Sequence, residues 1–211
     1  MGEELQYVLY WSTGKEAPFG TGYGLIPDLT ASCITWTLIQ VILFQYPDLS
    51  SYKLKRFPYL DLRNRMVSFI HGILMLVMSL HFLLLADYGC GSLTTQQEYT
   101  ILVISSGYFS YDFLAMAWFG LLDLDMTIHH LLCIAGMSYT LSLGKGANFV
   151  VAGLFVAEVS NPAMHMRIML KHIGLRYARA YEVAEFCYFV LFFIGRMLTG
   201  IPVVYYTVTC D

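Results

Sequence analysis

Nine side chains that can donate, accept or titrate lie inside otherwise apolar runs of the chain: His71, Tyr108, Asp112, His129, His130, Glu158, Asn161, His165 and Arg196. Such groups are costly in hydrocarbon, so they usually face a bundle interior or a water-filled cavity and tend to mark function. A neutral imidazole beside a carboxylate suits proton abstraction from a hydroxyl or amine, since its unperturbed pKa is about 6.5. His129 and His130 are therefore candidate bases, with Asp112 as orienter or counter-charge. His71, Tyr108, Glu158, Asn161 and His165 are candidates for holding a substrate's polar part. Arg196 lies deeper, toward the far end of its segment; pairing with Glu158, snorkelling and binding an anionic head group all remain open for it. The competing reading is that all these groups only hydrogen-bond neighbouring helices.

Spacing narrows the chemistry. His129 and His130 are adjacent and diverge by about 100° on a helix, so they are poorly placed to chelate one metal together. No HExxH pattern and no CxxC spacing among the five cysteines accompanies them, and no metal or cofactor is expected. Tyr108 and Asp112, four apart, share a face that Ser105 extends, and Glu158 and His165, seven apart, share another.

The elements that must position these groups follow from composition. Of 211 residues, 57% are hydrophobic and 13% charged, with a mean hydropathy of +0.59. Soluble domains carry about 25% charge, and a small soluble core cannot hide so much apolar surface. An all-α polytopic transmembrane bundle is expected. Runs long enough to cross a bilayer as helix cover 29–46, 66–86, 99–119, 125–143, 148–170 and 181–208, about six spans by the ~20-residue rule. A polar segment over 1–28 precedes the membrane domain of 29–211 and shows no cleavable leader. Pro162 and the pair Gly200 and Pro202 are expected to bend the last two spans. A disulfide between Cys90 and Cys210, both at segment ends, is possible on sequence grounds.

Basic residues set the orientation. Lys53, Lys55, Arg56, Arg63 and Arg65 follow the first span, and Arg167, Lys171, Arg176 and Arg179 follow the fifth. Six alternating spans put both groups on one side, which the positive-inside rule makes cytoplasmic. The net charge of -3 gives no sign of a nucleic-acid partner. Measured from the predicted span ends, His71, Asp112, His129, His130 and His165 lie within roughly 10 Å of the cytoplasmic side. Glu158 and Asn161 sit nearer the midplane. A shared polar cavity opening toward the cytosol is expected.

Three blocks carry a further signal: Ser-Gly-Tyr-Phe-Ser-Tyr-Asp-Phe-Leu at 106–114, Asp-Met-Thr-Ile-His-His-Leu-Leu at 125–132, and Ala-Glu-Val-Ser-Asn-Pro-Ala-Met-His-Met-Arg at 157–167. Together with His71 in Val-Ser-Phe-Ile-His-Gly, this order resembles the TLC-domain family, which includes ceramide synthases and translocating-chain-associated membrane proteins. The likeness covers roughly 62–206 and is nearest to the small TLC-domain-containing proteins. The resemblance implies membrane lipid homeostasis in the endoplasmic reticulum, with the plasma membrane as the other location considered. It also implies acyl transfer from acyl-CoA to a lipid amine or hydroxyl, as in sphingolipid synthesis, with the histidine pair at the reacting centre. The alternative is a non-catalytic lipid-sensing, lipid-transfer or cargo-binding protein using the same residues. Membrane lipids are the partners either way, with acyl-CoA as co-substrate in the first. Family members usually continue into one more helix, so this chain reads as a truncated form.

Overall fold

The computed structural model describes residues 24–85 and 89–210, and among them the secondary structure is helical. Helix α1 spans Leu25–Gln45, α2 Arg56–Leu85, α3 Gln96–Phe119 and α4 Leu124–Leu143. Helices α5 (Ala147–Glu158) and α6 (Asn161–His172) form one bent rod. Helix α7 (Arg179–Phe192), a π-helical stretch (Phe193–Thr199) and α8 (Gly200–Thr209) form another. Most of the expected polar segment, residues 1–23, lies outside the described residues.

Each end has a local cause. Thr95 accepts from the Glu98 amide while the Glu98 carboxylate accepts from the Thr95 amide, a reciprocal cap that starts α3. Asp123 accepts from the Met126 amide to start α4. Gly120, at φ 71°, ends α3 in the left-handed conformation that glycine adopts without steric cost. Two helices start earlier than their apolar runs, α1 at Leu25 and α2 at Arg56. Pro27 and Pro58 fall in their first turns, where a missing N–H costs nothing. The bend at 159–160 precedes Pro162, as the sequence leads one to expect.

The second expected bend takes another form. Near Gly200 and Pro202 the last rod widens into a π turn instead of breaking, and Thr199 Oγ1 donates to the carbonyls of Gly195 (2.6 Å) and Ile194 (3.1 Å). Proline at 202 supplies no N–H to the preceding turn, which favours an irregular stretch just before it.

Five of the rods are long and apolar enough to cross a membrane: α1, α2, α3, α5–α6 and α7–α8. Helix α4 has the length of a span, about 30 Å at 1.5 Å per residue, but its histidines and hydroxyl residues lower its hydropathy. Apolar side chains cover the outside, Trp118, Leu132, Phe189 and Val204 among them, as lipid contact requires. The chain is an integral multi-pass membrane protein.

Helix α3 is the axis of the bundle, the most buried of the five rods, with α1, α2, α4 and α5 around it. The last rod packs on α5 and α6. Glycine permits two close approaches. A Cβ on Gly107 of α3 would clash with the Ser32 side chain of α1, and one on Gly195 would lie 2.5 Å from Val159.

The two ends of the bundle differ chemically. At one, Arg63 donates to the carbonyls of Leu43 and Pro47, joining α2 to the end of α1 among the basic residues. At the other, Tyr99 donates to Asp28 (2.7 Å), residues 92–94 bond to 144–146, and Cys90 is disulfide-bonded to Cys210. Disulfides persist on the oxidising side of a membrane and basic loops stay on the cytosolic side. The two criteria give the same orientation.

Two outcomes follow. Gly107→Ala should lower stability by about 1–3 kcal/mol through overpacking, read as a lower thermal midpoint in detergent. A membrane-impermeant maleimide should label Cys90 and Cys210 only after reduction, and only from the side opposite the basic loops; labelling without reductant would refute the pairing.

Candidate functional site

The polar groups gather into two adjoining clusters within the bundle. In the first, Asp112 on α3 accepts from Asn64 Nδ2 on α2 at 2.8 Å through one carboxyl oxygen, and the other lies 2.8 Å from His130 Nε2 on α4. All three residues are buried. His130 Nδ1 donates to the Met126 carbonyl at 2.7 Å. A carbonyl can only accept, so Nδ1 carries hydrogen. An ionised carboxylate can also only accept, so a proton must lie between Nε2 and Asp112. It sits on the ring, giving imidazolium and carboxylate, or on the carboxyl, giving two neutral groups. In both cases His130 has no lone pair free for a substrate.

The second cluster lies about one turn further from the cytosolic end. The His71 ring stacks on Tyr108 at 3.7 Å between centroids, is hydrogen-bonded to Ser105 at 3.2 Å, and meets the edge of Trp36. Its Nδ1 is 3.8 Å from the Glu158 carboxylate, outside hydrogen-bond range. Glu158 is 3% exposed and accepts from Asn161 Nδ2 at 3.0 Å. Asn161 Oδ1 in turn accepts from Arg196 Nη2 at 3.3 Å, and Arg196 also donates to the Ala157 carbonyl. Arg196 thus reaches Glu158 through Asn161 and makes no direct ion pair with it. Gly72 makes room for this contact: a Cβ there would come within 3.2 Å of Glu158 and 3.4 Å of Pro162.

Three expectations are corrected. His71 is fifteen residues into α2, about 22 Å from its start, because that helix begins ten residues before the apolar run. It belongs with Glu158 near the middle of the bundle, not within 10 Å of the cytosolic end. His129 is exposed on the bundle surface, and among the described residues only Cys133 Sγ, at 3.8 and 3.9 Å, pairs with its nitrogens; the 100° offset that turns His130 inward turns His129 out. And where a shared cytosolic cavity is expected, Asp112 bonds Asn64 and His130, and Asn161 bonds Glu158 and Arg196. His165 lies beside these clusters on α6 with a buried Nδ1 that has no hydrogen-bond partner.

Cavities among the described residues include the following two. A groove of 420 Å³ between α5 and the last rod is walled by Gly153, Val156, Ala157, Gly200, Ile201 and Val204, with Arg196 at one end. A second cavity of 330 Å³ lies among Asp61, Arg167, Ile168, Lys171, His172 and Tyr181. Asn64 escapes a search confined to apolar runs, since it precedes the run that starts at 66; its seven-residue spacing from His71 is the signal that puts it on the same face. Gln40, which accepts from the Tyr111 hydroxyl, is a buried amide inside an apolar span that the same rule detects.

Removing Asp112 distinguishes a shared-proton pair from incidental contact. Asp112→Ala leaves Asn64 and His130 unsatisfied and should cost about 3 kcal/mol. Asp112→Asn can accept from Asn64 and donate to the Nε2 lone pair of neutral His130, so its cost should stay under about 1 kcal/mol. Denaturation in detergent measures both; equal losses would refute the assignment.

No solved structure matches the chain. The family model described as TLC domain matches residues 61–211, a stretch that holds every residue of the two clusters except Trp36. With most of its length matched, and the Tyr108, Asp112, His130 and Glu158 constellation inside that match, the chain belongs to the TLC-domain family, whose members are membrane proteins of lipid metabolism and homeostasis.

Proposed function

We propose that this protein serves lipid homeostasis by holding a membrane lipid, without reacting it, in the groove between α5 and the last rod. The observation that carries this is Arg196, the one charged side chain on a groove otherwise walled by glycine, alanine and aliphatic residues. A guanidinium at this depth costs about 2.5–3.5 kcal/mol by insertion scales. Among the described residues no carboxylate lies within ion-pair distance of it, and its Nε has no hydrogen-bond partner. A lipid with its chain along the glycine-lined wall and an anionic or strongly accepting group at Arg196 fits both the shape and the charge. The buried histidine and carboxylate clusters then keep the walls in register, and the endoplasmic reticulum is the compartment for this role.

A Cβ on Gly153 meets no atom within 4 Å, so Gly153→Leu projects into the groove without a clash in the bundle. Purified Gly153→Leu and Arg196→Gln should each carry several-fold less copurifying lipid than wild type, with Gly153→Leu unfolding at a similar temperature. Mass spectrometry of the extracted lipid is the measurement, and equal lipid in all three proteins would end this reading.

One observation favours a second reading. His129 alone of the adjacent pair has nitrogens free of carbonyl and carboxylate partners. In an acyl transfer it would take the proton of a lipid amine or hydroxyl as that atom attacks the acyl-CoA thioester; the new C–N or C–O bond forms, the C–S bond breaks, and the CoA thiol leaves with a proton. Incubation with acyl-CoA and sphingoid or other lipid acceptors should then give a product that His129→Ala abolishes. Absence of product with the wild-type protein removes this reading and leaves the first.

A further inference from the structure

The cavity among α2, α6 and α7 lies at the cytosolic rim, far from the Arg196 groove. Its walls are the first turns of α2, the last turn of α6 and the start of α7. Nine of the chain's twelve lysines and arginines lie in the two basic segments that meet there.

Two carboxylates at this cavity, Asp61 and Glu185, have cationic and hydroxyl partners. Asp61 Oδ2 accepts from Arg65 Nε at 2.8 Å and from His172 Nε2 at 2.6 Å. Glu185 accepts from Arg167 Nη1 at 3.2 Å and from the Tyr181 hydroxyl at 3.1 Å. Each carboxylate is offset by an adjacent cation, Asp61 by Arg65 and Glu185 by Arg167. The cations are less fully used. Lys171, which lines the cavity, has no ion pair among the described residues. Arg167 lies over the Tyr188 ring, spends one donor on Glu185, and keeps a buried Nε without a partner. A volume of 330 Å³ with ammonium and guanidinium donors converging on it suits a tetrahedral oxyanion with several acceptors better than a single carboxylate.

We propose that this cavity binds a phosphate group at the cytosolic membrane surface, with Lys171 and Arg167 as its cationic walls. The phosphate can come from an anionic lipid of that leaflet or from a soluble phosphate, and the rim position is reached by both. The site is separate from the lipid groove and does not depend on it.

The test uses the full chain in detergent, as wild type, Lys171→Gln and Lys171→Arg. In one arm phosphatidate is titrated against phosphatidylcholine and the bound lipid is read by native mass spectrometry. In the other, inorganic phosphate is added and the thermal midpoint is followed. Phosphatidate binding that falls about fivefold in Lys171→Gln and is kept in Lys171→Arg supports the site with lipid as its source. A phosphate-induced rise in midpoint lost only in Lys171→Gln supports it with a soluble source. Because Lys171 is exposed, the Gln variant should fold as wild type does, which its midpoint without ligand verifies. Neither signal in the wild type, or signals that ignore Lys171, overturns the proposal.

Discussion

Asp112 sits on the central helix and binds α2 through Asn64 and α4 through His130, so three helices meet at one carboxyl group. In hydrocarbon there is no water to complete an unsatisfied polar atom, and two apolar helix faces gain little by meeting each other instead of lipid. Helix positions therefore depend on the few polar contacts that lipid cannot replace. This link also governs α4, the rod with too little hydropathy to qualify as a span by composition and hence the one that most needs its partners.

The second cluster extends the same logic to the remaining rods. From His71 on α2 the chain of contacts runs past Tyr108 and Ser105 on α3 to Glu158 and Asn161 on the bent rod, and ends on Arg196 of the last rod. Glycine at 72 and at 195 brings backbones close enough for these short side chains to reach. The groove is the consequence: Arg196 is held from behind by Asn161 and Ala157, so its charge is fixed at the edge of an apolar trough. The buried polar groups thus connect to a cation at the groove's edge.

The two membrane faces are built from different chemistry. The cytosolic rim is basic, with Asp61 and Glu185 paired to neighbouring cations. The opposite rim is closed by a disulfide and by backbone pairing between residues 92–94 and 144–146. Cross-linking Cys90 to Cys210 ties the connection after α2 to the end of α8, which fixes the end of that rod away from the basic loops.

Much was legible in the residues alone. Apolar runs of about 20 residues have few ways to exist other than as membrane helices, so the all-α bundle, its orientation from the basic loops, and the bend before Pro162 followed from composition and punctuation. The sequence also identified most of the polar residues, because such a group in a span stands out against lipid, although Gln40 and Asn64 were not among them. What it could not decide was which of them face each other. Helical phase separates His129 from His130 by a fixed angle but does not say which one points inward; that depends on where α3 and its Asp112 lie. Helix starts hidden in polar residues moved His71 to another depth and concealed Asn64. Whether polar groups enclose a cavity or satisfy one another is a matter of distances between helices, and only the packing of the rods set those.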